Sequence, residues 1–192
     1  MRQRIAIAAA LLLAASVAAV GAGVGAGVPR PVEARPQTFC SSHTHATEAA
    51  RAEVNGRQAQ IATSASTAVV RAGECITLAV EVNLRPGVHV YAPGAQGYIP
   101  IAWTLEESAA YQAHDAEMPA AHILYLEAID EKAPVYEGRF RLVRDVIIGP
   151  DSALHEGRLS IAGALRYQAC DDRMCYKPEK LPLQWTLTAE RK

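Results

Sequence analysis

The chain has 192 residues, half of them hydrophobic, and a formal net charge of -1. That length suits one domain plus extras. The near-neutral balance and the lack of a long basic run give no reason to expect a nucleic-acid partner, and the scattered acidic residues exclude an acidic tail.

The first element is a leader. "MRQR" is a basic start, "IAIAAALLLAASVAAV" is an uncharged apolar run, and small residues follow in "GAGVGAG". This layout predicts a secretory signal peptide over residues 1–28, cut somewhere between Gly21 and Ala34. The competing reading is an uncleaved N-terminal anchor, since Ile5 to Val28 carries no charge and is long enough to span a bilayer. No later apolar run is long enough to suggest a polytopic protein. Export places Cys40, Cys75, Cys170 and Cys175 in a compartment that permits disulfides. The expected location is periplasmic or exported, with a tether only at the N-terminus.

Residues 29–56 read as a linker rich in Pro, Ser, Thr, His and Ala. One short helix is predicted in it, "TEAARAEV", started by Thr47 and stopped before Asn55-Gly56. From residue 57 to 192 the pattern turns to period two. "ITLAVEVNL" places Ile76, Leu78, Val80, Val82 and Leu84 on one face, with Thr77, Glu81 and Asn83 on the other. "YEGRFRLVRDVIIG" alternates through Phe140 and Leu142, then slips near Val143-Arg144, which predicts a bulge. "RLSIAGALRY" places Leu159, Ile161, Leu165 and Tyr167 inward. "LPLQWTL" does the same with Leu181, Leu183, Trp185 and Leu187. Turn signals such as "RPGV", "APGAQG" and "GPDS" separate the runs. The fold class is all-β, an antiparallel sandwich of about 130 residues, large enough to bury an ordinary core without disulfides.

"YQACDDRMCYKPE" holds the chemistry. Cys170 and Cys175 stand at the two feet of a connection between neighbouring strands. Four intervening residues can fold back to bring the Cα atoms within disulfide reach, about 5.5 Å. Three readings are open. A staple closing so short a loop constrains the unfolded chain weakly. A copper or zinc clip would need further ligands, and no second Cys or His pair lies nearby at ligand spacing. A redox centre is the third. If the strand stays regular past the inward Tyr167, Cys170 faces outward, within reach of another protein's thiolate. Asp171 and Asp172 oppose thiolate formation at Cys170, so the reduced pair should be a poor attacker at rest, while the oxidised pair can still accept attack.

"LRYQACDDRMCYKPEKLPLQW" closely resembles the last third of the N-terminal periplasmic domain of the thiol:disulfide interchange family DsbD. "LRPGVHVYAPGAQGYIPIAWTLE" and "DEKAPVYEGRFRLVRDV" are similar to its early and middle segments, in the same order, so the resemblance covers roughly residues 60–190. It implies an immunoglobulin-like sandwich whose cysteines carry the electrons, so that no cofactor is needed. It implies that Cys175 forms the mixed disulfide and Cys170 resolves it. The implied partners are thioredoxin-fold periplasmic proteins, of the disulfide isomerase or cytochrome c maturation type, and a membrane electron donor. The exchange domain itself is expected as a monomer. Full-length members of the family continue into a membrane domain and a thioredoxin-like domain, so the electron source here is expected to be a separate protein. A cap loop with an aromatic tip is also implied. It maps to "DEKAPVYEG", with Tyr136 as the lid, Val135 beside it, and Asp130 and Glu131 near the loop's acidic positions. The competing reading of Tyr136 is a strand aromatic packed on the core. His89 and Tyr91 match positions that approach the cysteines, against the simpler reading of an edge histidine and a core tyrosine. Tyr167 and Tyr176 flank the pair. The spacing of four residues is at the short side for the family.

Cys40 precedes "SSHTH", a Cys-x2-His-x-His run that could hold copper or zinc, though a flexible linker with exposed histidines explains it more simply. Cys40 and Cys75 are each other's remaining partners, and a structural bridge between them would tie the linker to the sandwich. His114, His122 and His155 are isolated in sequence and receive no role. The function class that competes with thiol-disulfide exchange is a non-catalytic binding module whose Cys170–Cys175 bridge only fixes a hairpin, or a copper/zinc module.

Overall fold

Alternating apolar residues rich in Val, Ile and Leu extend the chain from Ala49 onward. The computed structural model describes Cys40 and residues 49–127, 130–154 and 157–190. The leader, the histidines of "SSHTH" and His155 lie outside the described residues. The strands in chain order are β1 (Ala49–Asn55), β2 (Ala59–Ala65), β3 (Val69–Arg71), β4 (Cys75–Leu84), β5 (His89–Tyr91), β6 (Ala102–Leu105), β7 (Tyr111–Ala113), β8 (His122–Leu126), β9 (Glu131–Glu137), β10 (Arg139–Ile148), β11 (Arg158–Tyr167), β12 (Ala169–Cys170) and β13 (Glu179–Glu190). A 3-10 turn at Asp151–Ala153 follows β10.

Three sheets form. The first runs β1-β2-β4-β10-β7, the second β3-β13-β11-β6 and the third β12-β5-β9-β8. Pairing is antiparallel except for β3 with β13. The architecture is an immunoglobulin-like β-sandwich, as the turn-punctuated alternation predicts. All described residues belong to one unit, Thr38–Lys192.

The inward faces follow the expected parity. Ile76, Leu78, Val80, Val82 and Leu84 are all buried, as are Leu159, Ile161, Leu165, Leu183, Trp185 and Leu187. Each fully buried aliphatic side chain contributes about 1.5–3 kcal/mol relative to exposure. Trp185 stacks on Trp103 with ring centroids 5.5 Å apart. Its Nε1–H donates to the Ser64 carbonyl at 2.9 Å, joining the second sheet to the first across the core. The inward position between Ile161 and Leu165 falls to Gly163. A Cβ there would lie 2.4 Å from the Thr104 carbonyl oxygen, so the close crossing of β6 requires glycine.

Two expectations about local structure fail. The helix expected in "TEAARAEV" is absent, because Ala49–Asn55 is strand β1, paired antiparallel with β2. Ladder bonds to β2 and packing of Ala50 and Val54 on the core outweigh the helix preference of alanine and glutamate. The bulge expected near Val143-Arg144 is also absent, for β10 pairs with β4 in unbroken register from Arg139↔Asn83 to Ile147↔Cys75. Arg144 simply occupies an inward position. Its guanidinium lies 5.0 Å from the Trp103 ring centroid and donates to the Trp103 carbonyl at 2.9 Å. A charge seated on an aromatic face looks, in one dimension, like a break in alternation.

Cys40 and Cys75 are bridged, with Cα atoms 5.5 Å apart. The Cys40 N–H donates to Asp145 Oδ2 at 2.6 Å and Thr77 Oγ1 donates to Asp145 Oδ1 at 2.7 Å. Asp145 and Thr77 are therefore buried with their polar atoms engaged, although Thr77 was placed on the outer face. The two sulfurs and an Asp145 oxygen lie within 4.8 Å of one another. With both sulfurs in the bridge they have no thiolate to offer a metal.

Candidate active site at the Cys170–Cys175 pair

Strand β11 pairs with β13 down to Tyr167↔Glu179. After Gln168 the chain leaves that sheet, and Ala169–Cys170 pair instead with β5, Cys170 opposite His89. This change of sheet breaks the alternation. Cys170 is 1 % exposed, whereas regular parity predicts an outward-facing thiol. It packs in a small cluster with Tyr91, Ala133 and Val135, flanked by Leu124, Leu126 and Tyr98. Cys175 is exposed. The two are bridged, with Cα atoms 4.0 Å apart. Of the two residues, only Cys175 is exposed.

The loop between them is organised by its own first residue. Asp171 Oδ1 accepts the N–H of Arg173 at 2.8 Å and of Met174 at 2.9 Å. Asp171 Oδ2 accepts the Tyr176 hydroxyl at 2.5 Å. The Asp171 N–H donates to the Met174 carbonyl, and the Tyr176 N–H to the Ala169 carbonyl. Gln168 Nε2 donates to the Tyr176 carbonyl at 3.0 Å. The bonds from Tyr176 and the two loop amides hold the Asp171 carboxyl below its ordinary range, so a fixed negative charge lies beside the bridge. The same bond pushes the Tyr176 hydroxyl up.

His89 is 3 % exposed and its Nε2 has no hydrogen-bond partner among the described residues. Burial lowers its pKa, against the opposing pull of Glu137, Asp172 and Asp171, which leaves a neutral ring beside Cys170. Tyr91 meets His89 edge-on at 5.4 Å and stacks on Tyr98 at 3.9 Å. Burial raises the Tyr91 hydroxyl. Tyr98 donates to Glu131 at 2.8 Å, and that bond pushes its pKa up to about 12. Asp130 accepts the Tyr125 hydroxyl at 2.8 Å at the turn between β8 and β9, with φ 54°. His89, Tyr91, Val135, Glu131 and Tyr176 are thus gathered around the pair.

Two expected residues stand elsewhere. Tyr136 packs on the core, where the competing reading puts it. It lies in β9, paired with Val90, is 5 % exposed in the main core and stacks on Phe140 at 4.8 Å. Its hydroxyl donates to the Pro119 carbonyl. The period-two alternation of β9 turns Val135 toward Cys170 and Tyr136 away from it. Tyr167 belongs to the core next to Gly56. Its hydroxyl has no hydrogen-bond partner among the described residues, and burial pushes its pKa up to about 12.

Sequence reasoning missed the β8–β9 hairpin. Leu124 and Leu126, half-buried, pack against the Cys170 cluster, while Ile123 and Tyr125 stay 62 % and 48 % exposed. A groove of about 700 Å³ runs between this hairpin and the cysteine loop, lined by His89, Leu124, Leu126, Glu127, Asp171 and Asp172 among others. "HILYLE" alternates between two apolar sets, so period two could not say which set faces the sulfur.

A buried and an exposed cysteine are thus joined by a disulfide at the edge of an immunoglobulin-like sandwich. Residues 57–184 match the family described as thiol:disulfide interchange protein DsbD, N-terminal, and the chain belongs to that family. A comparison with curated proteins gave no match. Among solved structures, the N-terminal periplasmic domain of ScsB from Proteus mirabilis is similar at 14 % identity and a TM-score of 0.48, over 71 % of this chain and 49 % of that one. The chain therefore spans about half the length of that relative. AggA, the major subunit of aggregative adherence fimbriae type I from Escherichia coli, gives 12 % identity and a TM-score of 0.32, over 77 % of this chain and all of the other.

Proposed function

We propose that this domain relays reducing equivalents by thiol-disulfide exchange through Cys170 and Cys175. The observation that carries the reading is the asymmetry of burial, Cys170 being 1 % exposed and Cys175 open to solvent. A partner thiolate can reach only the Cys175 sulfur. Its attack forms a mixed disulfide at Cys175 and expels Cys170 as a thiolate. A thiolate held among Tyr91, Ala133 and Val135 is poorly solvated. It is either protonated or returns to the Cys175 sulfur a few ångströms away, which is what a resolving cysteine does. A second thiolate of the partner then attacks its own sulfur in the mixed disulfide. The partner leaves as a disulfide, and this domain keeps two electrons and two protons as a dithiol. The reverse sequence passes them to an oxidised acceptor. The cysteines carry the electrons themselves.

The partners that suit this chemistry are thioredoxin-fold dithiol proteins of an exported compartment, with a membrane protein as electron source. The cap role assigned in sequence to Tyr136 passes to the β8–β9 hairpin, whose Leu124 and Leu126 cover the Cys170 side of the bridge.

The test is a trapping pair. Cys170→Ser should accumulate a mixed disulfide with an oxidised thioredoxin-fold protein, formed when the Cys175 thiolate opens the partner's disulfide, while Cys175→Ser should form none. Equal trapping by both variants would remove the assigned roles. A bridge potential below roughly -300 mV would mark a structural staple and remove the exchange reading itself.

A further inference from the structure

The groove beside the bridge has a one-signed wall. Glu127, Asp171 and Asp172 line it, and among the described residues no Lys or Arg does. Arg173 and Lys132, the nearest cations in sequence, are absent from its lining. His89 lines it too, 97 % buried by its 3 % exposure, with Nε2 lacking a hydrogen-bond partner among the described residues. A buried polar atom without a partner is costly, and a ligand that satisfies it recovers that cost. A neutral imidazole nitrogen can accept a hydrogen bond, and a carboxylate only accepts. The set therefore lacks a donor that carries positive charge.

We propose that this groove selects partners by charge, seating an ammonium or guanidinium group carried next to the partner's reactive thiol. The proposal rests on the exchange reading above and adds which thiols the site favours. A cationic group entering between the hairpin and the cysteine loop pairs with Glu127 and Asp172 and donates toward His89 Nε2. Asp171, occupied by its loop bonds, supplies field more than contact. The same field raises the barrier for an anionic thiol. The site would thus discriminate against acidic small thiols while admitting a protein whose cysteine is flanked by Lys or Arg.

The test uses the whole domain in its oxidised form and three small thiols, cysteamine, 2-mercaptoethanol and thioglycolate. Each opens the Cys170–Cys175 bridge by the same two attacks, leaving the domain dithiol and the reagent's own disulfide. Rates are taken per thiolate and divided by that thiol's rate with a small, uncharged disulfide. The expected order is cation, neutral, anion, spread by about tenfold at low ionic strength. The spread should shrink at roughly 0.5 M salt. Glu127→Gln combined with Asp172→Asn should flatten it with the folded signal in place, while the 2-mercaptoethanol rate rises as charge opposing both thiolates is removed. Uniform normalised rates in the unaltered domain, or a spread that survives in the double variant, would overturn the charge preference alone. If none of the three thiols opens the bridge, the exchange reading fails and this proposal fails with it.

Discussion

At His89 a ring and a sulfur share one strand pairing, because Cys170 is the residue opposite it. The ring is buried and faces Glu137, Asp172, Asp171 and His122, and burial outweighs the carboxylates in lowering its pKa. The sign follows from linkage. With a folded pKa below the ordinary histidine value of 6.5, the unfolded chain binds more protons between the two values. Stability at this residue is complete above about pH 6.5 and falls as pH drops toward the folded pKa. Urea midpoints at pH 7.5 and 5.5 should therefore differ more for the unaltered domain than for His89→Gln. An equal difference in both would show that the ring takes its proton freely in the folded state. Asp171 also changes meaning once folded. In sequence it is a charge opposing a thiolate, whereas in the structure it is mainly the knot of its loop.

Two strands share the chain's middle segment and divide its roles. β9 alternates Val135 toward the sulfur cluster and Tyr136 toward the main core. Tyr136→Ala should lower the unfolding free energy by roughly 3–5 kcal/mol, the range for deleting a buried aromatic. It should leave the reduction rate of the bridge nearly unchanged while the domain stays folded. Leu124→Ala on β8 should do the opposite, costing about 1–2 kcal/mol because the side chain is only half-buried. It should speed opening of the bridge by 2-mercaptoethanol several-fold. Melts and stopped-flow reduction on the same two proteins separate the cases. A faster Tyr136→Ala and an unchanged Leu124→Ala would return the lid to β9.

On the scale of the molecule the two bridges do different work. Cys40–Cys75 closes a separation of 35 residues, and Cys170–Cys175 a separation of 5. In the chain-entropy account the first contributes about 4 kcal/mol and the second about 2 kcal/mol. Replacing Cys40 and Cys75 together by serine should lower stability by roughly 2–4 kcal/mol with the reduction rate of the other bridge intact. A loss of exchange in that variant would mean that the long bridge takes part in the chemistry. Reducing both bridges should leave a cooperative fold, since the core around Trp103 and Trp185 spans two sheets without help from either sulfur pair. Near-ultraviolet circular dichroism of the reduced domain checks this. Loss of the tryptophan signal at pH 7 without denaturant would show that the bridges hold the sandwich together.

The inward faces of β4, β11 and β13 and the all-β class can be read from residue order, and so can the position of the late cysteine pair, whose role residue order left open among three readings. Side-chain parity is a local property of an extended chain, and the cysteine motif is local too. The family resemblance extended that reading to His89 and Tyr91. Residue order could not place Cys170, because its burial depends on the chain changing sheets at Gln168, and strand partners are not written in a strand's own alternation. The same holds for β1, a helix by propensity and a strand once β2 lies beside it, and for Arg144, a break in pattern until Trp103 is packed under it. The lid is the clearest case. Val135 and Tyr136 are neighbours in sequence, and only the packing of β9 between two cores sends one to the sulfur and the other away.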